Sequence, residues 1–310
     1  MNRVAVKPEL LRWARIRADR NLEDLAEKFP RLPRWERQEE QPTLKQLERF
    51  AKTVHAPIGY FFLQEPPEES VPIPDLRTVG NRRIGRPSPD LLETIYVCQQ
   101  RQEWYREYAR AGGEEPLGFV GSARLDRAPE AVAARMREAL GFDLEERRTC
   151  PTWTEALRRF VEQADELGVL VMCSGIVKND THRKLNTEEF RGFAMADDVA
   201  PLVFINGADT KSAQMFTLAH ELAHIWLGAS ALSDTRPDSL PEESSREASL
   251  DSGATEIWCN RVAAELLVPL TALREALPAG DPLADIQRLA RRFKVSALVL
   301  LRRIHDVGGI

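Results

Sequence analysis

The stretch FTLAHELAHIWLG, residues 216–228, decides the fold and the chemistry of its surroundings. His220, Glu221 and His224 stand in a run that is otherwise almost wholly apolar. Side chains four residues apart lie on one face of an α-helix, about 6 Å from each other. His220 and His224 can therefore hold one metal ion, and Glu221 can reach a water beside it. The pattern predicts a metal-binding helix from about 211 to 227, ended by Gly228.

A second interpretation of this stretch is a buried helix whose histidines are hydrogen-bonded without a metal. The apolar residues cover nearly every face of the helix and predict that it is buried. Two imidazoles and a carboxylate that are buried together need partners, because their desolvation is costly. A metal ion is such a partner, and the metal site is the favoured interpretation.

The third metal ligand is expected to be a carboxylate. A catalytic zinc site has three protein ligands and one open position. The remaining histidines, which show no ligand spacing, are His55, His182 and His305. The segment 229–253 is polar and acidic and is predicted to be a mobile loop. Its acids are poor ligands for that reason; they are Glu242, Glu243 and Glu247.

Two glutamates lie on the helix predicted next, at about 254–267. Glu256 and Glu265 are nine residues apart and point to opposite sides, so at most one can face the metal. Asn260 follows Glu256 by four residues and adds a polar group to the same face. We therefore expect Glu256 to be the third ligand, Asn260 to support the site, and Glu265 to be solvated or salt-bridged.

The composition indicates a globular chain with more than one domain. It has 310 residues, 43% of them apolar, and a net charge of −5, so any contact with nucleic acid has to be local. No apolar run approaches the length of a membrane span, and the charged start lacks the core of a secretory signal. Four scattered cysteines favour a reducing compartment. The expectation is a cytoplasmic protein with no membrane contact.

Periodicity divides the chain into three parts. Residues 1–65 are predicted to be an all-helical module, residues 66–111 a proline-rich linker and a bridging helix, and residues 112–310 an α+β domain. Strands are expected at 169–174, 190–196 and 201–206, and the last two form a hairpin. Helices are predicted at 8–18, 22–28, after Thr43, and at 88–111, 127–140, 152–167, 211–227, 254–267, 282–292 and 296–305.

Three segments together resemble the ImmA/IrrE family of zinc metallo-endopeptidases. They are FRGFAMADDVAPLVFIN at 190–206, the stretch at 216–228, and EIWCNRVAAELLVP at 256–269. The likeness extends from about Cys173 to the end of the chain. It implies a zincin-like domain with a small sheet, zinc on His220, His224 and Glu256, and Glu221 as the catalytic base. The departures from the family pattern are Cys259, Val262 and a long acidic loop.

The resemblance also implies a biological role. It suggests a substrate that is a partner repressor or antitoxin, cleaved in a stress, prophage or defence response. The alternative is a DNA-binding transcriptional regulator or antitoxin, with a peptidase fold that binds a toxin without cleaving it. The intact motif favours the enzyme, because a binding scaffold has no chemical need for Glu221.

The N-terminal module resembles an Xre-type helix-turn-helix. The landmarks of that family are found at 25–26, 35–36 and 42–43. The segment EKFPRLPR between the first two is shorter than usual by about one helical turn and contains two prolines. Candidate phosphate contacts are Arg31, Arg34 and Arg37. Two interpretations stay open: DNA binding through residues 1–65, or a helical module that docks onto protein. A homodimer is compatible with either.

A peptidase also needs a second donor for the oxyanion and a strand that binds extended substrate. The tyrosines all lie far upstream of the motif; they are Tyr60, Tyr96, Tyr105 and Tyr108. Arg191 and His182 remain as candidate oxyanion or substrate contacts. Either strand of the 190–206 hairpin is a candidate edge for substrate, and an ordinary core hairpin is the alternative.

Overall fold

The fold is described from a computed structural model. It describes residues 3–76, 78–79, 82–83, 86–233, 250–277 and 285–306, with the backbone alone at 78–79, 82–83 and 250–252. The chain forms two compact units. The first comprises Met1–Pro72 and Gly85–Glu93, and the second comprises Ile73–Ile84 and Thr94–Ile310.

The first unit is helical. Its elements are α1 (Pro8–Arg17), α2 (Leu22–Ala26), α3 (Leu32–Glu36), α4 (Leu44–Thr53) and a 3₁₀ helix (Ile58–Phe62). Thr43 caps α4 as predicted: its hydroxyl accepts from the Gln46 N–H, and the Gln46 side chain accepts from the Thr43 N–H. The core is built around Leu10, Trp35 and Phe50, each at most 2% exposed. These apolar side chains belong to a small hydrophobic core, which is separate from the larger core of the second unit.

The short α3 follows Pro30 and contains Pro33, the two prolines that interrupt the sequence pattern. It spans five residues, and Pro33 lies in its first turn. Its last residue, Glu36, is buried and forms an ion pair with Arg15 at 2.8 Å. A helix of this length presents little more than one turn to any partner.

The second unit combines helices with small sheets. The helices are α5 (Pro89–Gly112), whose first residues cluster with the first unit, and α6 (Pro129–Leu140), α7 (Leu144–Thr149), α8 (Trp153–Glu166), α9 (Lys211–Leu227), α10 (Leu250–Leu267), α11 (Leu270–Ala276), α12 (Ile286–Phe293) and α13 (Ala297–Asp306). The strands are β1 (Thr78–Val79), β2 (Arg82–Arg83), β3 (Leu170–Ser174), β4 (Ile176–Val177), β5 (Asp180–Lys184), β6 (Gly192–Met195), β7 (Leu202–Asn206) and β8 (Ala231–Ser233). This content confirms the predicted α+β class, with a helical region followed by the α+β domain.

Four strands form the main sheet in the order β3-β7-β6-β8. β3 runs parallel to β7, while β6 is antiparallel to both β7 and β8. The predicted hairpin is therefore present, but both of its strands are central. Of the two interpretations left open for the hairpin, the core hairpin is the one found, because β3 covers one side of it and β8 covers the other.

The prediction that residues 229–253 form a loop is wrong at both ends of this segment. Residues 231–233 form β8, and α10 begins at Leu250, four residues before its expected start. Backbone pairing with β6 holds β8 in place, and a three-residue strand has too few residues to show an alternating pattern. Residues 234–249, with the three acids predicted to be poor ligands, lie outside the described residues.

α9 lies directly against the sheet, and every side chain from Gln214 to Trp226 is buried. Gly192 on β6 makes this approach possible. A Cβ there would lie 2.5 Å from Thr217 Cγ2 and 2.8 Å from the Phe204 carbonyl oxygen, so a larger residue would force the helix away. α9 ends as predicted at Gly228, which has φ +69° and donates its N–H to the last turn.

Within the described part of the chain, no helix is both long enough and apolar enough to cross a membrane.

Candidate metal centre

Two helices bring the three predicted ligand side chains together. His220 and His224 come from α9 and are fully buried, and Glu256 comes from α10 with a side chain 13% exposed. The two Nε2 atoms are 3.1 Å apart. Glu256 Oε2 lies 3.4 Å from His220 Nε2, and Glu256 Oε1 lies 3.1 Å from His224 Nε2. Potential donor atoms of three side chains therefore converge on one point.

The separations of these atoms fit a single small cation. Zinc binds imidazole nitrogen and carboxylate oxygen at about 2.0–2.2 Å, so two corners of its coordination tetrahedron are about 3.3–3.6 Å apart. The three measured separations, 3.1 to 3.4 Å, are close to such edges. Both Glu256 oxygens are also buried without a hydrogen-bond partner among the described residues. The donor set and its spacing therefore suit a metal ion with one further position open.

Asn260 orients the first histidine. Its side-chain oxygen lies 3.0 Å from Nδ1 of His220, and the amide is buried. An amide oxygen only accepts, so this contact places the imidazole proton on Nδ1 and leaves the Nε2 lone pair facing the site. This is the arrangement that the spacing of Glu256 and Asn260 on one helix face predicts.

The charges around the site suit metal binding. Burial lowers the pKa of His224 and favours the neutral imidazole, although Glu256 acts in the opposite direction. Burial alone would raise the pKa of Glu256, but His220 and then His224 outweigh it and bring the pKa to about 2. A neutral His224 imidazole and an ionised Glu256 carboxylate are the forms that bind a cation.

Glu221 is not one of the converging ligands. It is fully buried, and neither carboxylate oxygen has a hydrogen-bond partner in the described structure. Burial and the charge of Glu256 raise the pKa of Glu221 well above its ordinary value, and Ser233 opposes that rise. A buried carboxylate with unused lone pairs beside a metal site is suited to accept a proton there.

Two further side chains line the centre. Ser233 on β8 places its Oγ 3.2 Å from Nε2 of His224 and is fully buried. Sequence reasoning missed it, because its strand falls in a segment whose composition predicts a loop. Cys259 is fully buried, and burial followed by the charges of Glu256 and Glu221 raises the pKa of its thiol well above the usual range. It is a neutral packing group rather than a nucleophile.

The other candidate contacts lie in different surroundings. Arg191 forms an ion pair with Asp209 at 3.4 Å, and His182 is exposed on β5. No contact of either side chain with the three ligands is found among the described residues. Their proposed role in binding the oxyanion or substrate stays a prediction.

The arginines predicted to contact DNA lie on or near α3. Arg31 pairs with Glu40 at 2.8 Å and Arg37 with Glu39 at 2.7 Å, while Arg34 is exposed. These ion pairs on the surface reduce the positive charge that two of the three arginines offer to a phosphate backbone. DNA binding by this unit remains a prediction.

Comparison with known families agrees with this geometry. Residues 164–305 match the model of the IrrE N-terminal-like domain, Peptidase_M78. This region is an ImmA/IrrE-type metallopeptidase domain. The matched residues run from the end of α8 to α13 and include both helices that supply the ligands. The helical unit at the N-terminus lies outside the match.

A substitution at Asn260 tests how the metallopeptidase domain orients its first histidine. We expect Asn260→Leu to weaken Zn²⁺ binding by about 10–100-fold, because His220 loses the acceptor for its Nδ1–H. Asn260→Asp keeps an acceptor oxygen and should bind Zn²⁺ within a few-fold of wild type. Competition with a chromogenic chelator at fixed pH measures both affinities. Equal affinities for wild type and Asn260→Leu would show that the contact does not orient the ligand.

Proposed function

We propose that this chain is a zinc-dependent endopeptidase that cleaves a partner repressor or antitoxin protein in a stress, prophage or defence response. The observation that carries the proposal is the convergence of His220, His224 and Glu256 beside the buried, unpaired carboxylate of Glu221. The family match supports the metallopeptidase class. The partner and the response rest on the family resemblance.

Each side chain of the centre has a role in this reaction. His220, His224 and Glu256 would hold a zinc ion, which would supply the Lewis acidity that activates water and polarises a peptide carbonyl. Glu221 takes a proton from the attacking water as its oxygen bonds to the carbonyl carbon. Glu221 then gives that proton to the leaving nitrogen as the C–N bond breaks. Asn260 keeps His220 oriented throughout.

Extended substrate that adds a strand to the main sheet next to β8 meets an edge that is already paired. The outer side of β8 is already paired: Leu232 donates to the Pro74 carbonyl at 2.8 Å and accepts from the Leu76 N–H at 2.9 Å. A peptide that adds to this edge as an extra strand replaces both hydrogen bonds. Substrate docking on β8 is then coupled to release of the chain's own segment.

Glu221→Gln tests the chemistry, because the amide keeps the shape of the side chain but cannot accept a proton. We expect the rate of peptide cleavage to fall by about 10²–10⁴-fold with bound zinc unchanged. Proteins that copurify with the full-length chain serve as substrates, and mass spectrometry identifies the cleaved bonds. Glu275→Gln is the matched control, since that glutamate is exposed on α11.

The same experiment separates the two functions that the sequence leaves open. If Glu221→Gln and wild type retain equal zinc and give identical fragments, the proposed general base is wrong. If both variants capture the same partner and leave it intact, the domain is a binding module, as the antitoxin alternative requires. DNA binding is tested separately, by the salt dependence of full-chain binding to a mixed-sequence duplex.

A further inference from the structure

Ser233 projects towards the catalytic glutamate because of strand register. It lies directly opposite Gly192 in the antiparallel pair of β6 and β8. Residues that are opposite each other in such a pair project to the same face of the sheet. A Cβ on Gly192 would point at α9, 3.3 Å from Cγ of Glu221. The side chain of Ser233 therefore extends from the same face, next to Glu221.

The hydroxyl of Ser233 has one hydrogen to donate, and the group within hydrogen-bond distance of it is a metal ligand. Its Oγ lies 3.2 Å from His224 Nε2, which faces the other two ligand atoms. A nitrogen whose lone pair binds a cation has neither a proton to donate nor a lone pair to accept with. A metal-loaded site therefore leaves Ser233 without this partner.

A neighbouring group that needs a donor, and is not one of the three ligands, is the carboxylate of Glu221. Both of its oxygens are buried and lack a hydrogen-bond partner among the described residues. A buried carboxylate without donors is costly, and a hydrogen bond to a charged acceptor is among the stronger ones in proteins. Ser233 lowers the pKa of Glu221, whereas burial and the charge of Glu256 raise it. This effect agrees with the closeness of Ser233 to Glu221.

We propose that Ser233 is a positioning residue for Glu221: when the three ligands hold a cation, its hydroxyl donates to the Glu221 carboxylate and sets its orientation. This inference rests on the proposed function, because it assigns Glu221 the role of general base. It adds a residue from outside the helical motif to the machinery of the site.

Acetohydroxamate is a suitable probe, because it binds a metal ion through two oxygens and donates its remaining proton to a neighbouring acceptor. We measure its dissociation constant with the zinc-loaded full-length chain. Ser233→Ala should weaken binding by about tenfold, the effect of losing one hydrogen bond to a charged group. Ser233→Thr keeps the hydroxyl and should bind within about threefold of wild type by the same measure. Zinc content should be unchanged in both.

A double-mutant cycle identifies the group through which Ser233 acts. With Glu221→Gln, the acceptor is neutral, and the further effect of Ser233→Ala should shrink to about threefold or less. An equal loss in both backgrounds, a failure of Ser233→Thr to restore binding, or a loss of zinc in Ser233→Ala would overturn the proposal. Hydroxamate binding requires no peptide cleavage. A coupled cycle in a chain that cleaves no peptide would therefore reject the endopeptidase function and leave the positioning role standing.

Discussion

Replacing Glu256 by glutamine is expected to reduce zinc affinity by more than about 100-fold, because the loss of a ligand exceeds the 10–100-fold effect typical of an outer hydrogen-bond partner. Two neutral imidazoles then remain, and a neutral amide oxygen is a poor substitute for a carboxylate. The carboxylate also supplies a negative charge close to both Nε2 atoms, at 3.4 and 3.1 Å. Chelator competition measures the affinity, with Glu275→Gln as the exposed control.

Thermal unfolding provides a second readout of the same substitution. An ion that binds only the folded chain stabilises it by about 2.7 kcal/mol at a free concentration one hundred times the dissociation constant. Zinc should therefore raise the melting temperature of wild type and of Glu275→Gln, and leave that of Glu256→Gln nearly unchanged. If Glu256→Gln binds zinc as tightly as wild type, Glu256 is not a ligand and the three-residue set is wrong.

Replacing Arg303 by leucine is expected to destabilise the second unit by about 3–5 kcal/mol, the usual cost of breaking a buried ion pair. Arg303 and Glu265 form an ion pair with both side chains 7% exposed, and the guanidinium also donates to the Val268 carbonyl at 3.0 Å. The substitution leaves the Glu265 charge buried without its guanidinium partner. Hydrogen exchange of amides in the middle of α9 measures the loss.

Two variants make this result interpretable. Glu265→Leu combined with Arg303→Leu removes both charges and should recover much of the lost stability, because apolar groups of similar volume replace such pairs at little cost. Arg291→Leu removes an exposed arginine from α12 and should change the stability by less than about 0.5 kcal/mol. A loss below about 1 kcal/mol in Arg303→Leu would contradict the energetic role of the pair.

Local periodicity is sufficient to predict the helices of eight residues or more and to place the candidate metal ligands on two of them, whereas it misses the short α3, α7 and α11. His220 and His224 share a helix face because they are four residues apart, and Glu256 and Asn260 share one for the same reason. Gly228 ends α9 as predicted, because only its left-handed conformation completes the last turn without strain. The opposite placement of Glu265 also follows from helical geometry, whereas its partner Arg303, 38 residues away, does not.

Strand order and the residues it positions do not follow from local pattern. β8 is three residues long, too short to show alternation, and the hydrogen bonds that define it come from β6 about 40 residues earlier. Because this pairing leaves no trace in the local sequence, the sequence does not decide whether the hairpin lies at an edge or in the core, and it predicts that Ser233 lies in a loop.

The sequence by itself was sufficient to predict the three candidate metal ligands and the candidate base, because these depend on spacing within two helices. Only the tertiary structure decided how α9 packs on the sheet and where Ser233 lies. Gly192 lets α9 approach the sheet, and the pairing of β8 with β6 places Ser233 opposite Gly192. Helical spacing is a property of neighbours along the chain. Strand register and helix-to-sheet distance arise from hydrogen bonds and packing between segments that are remote in sequence.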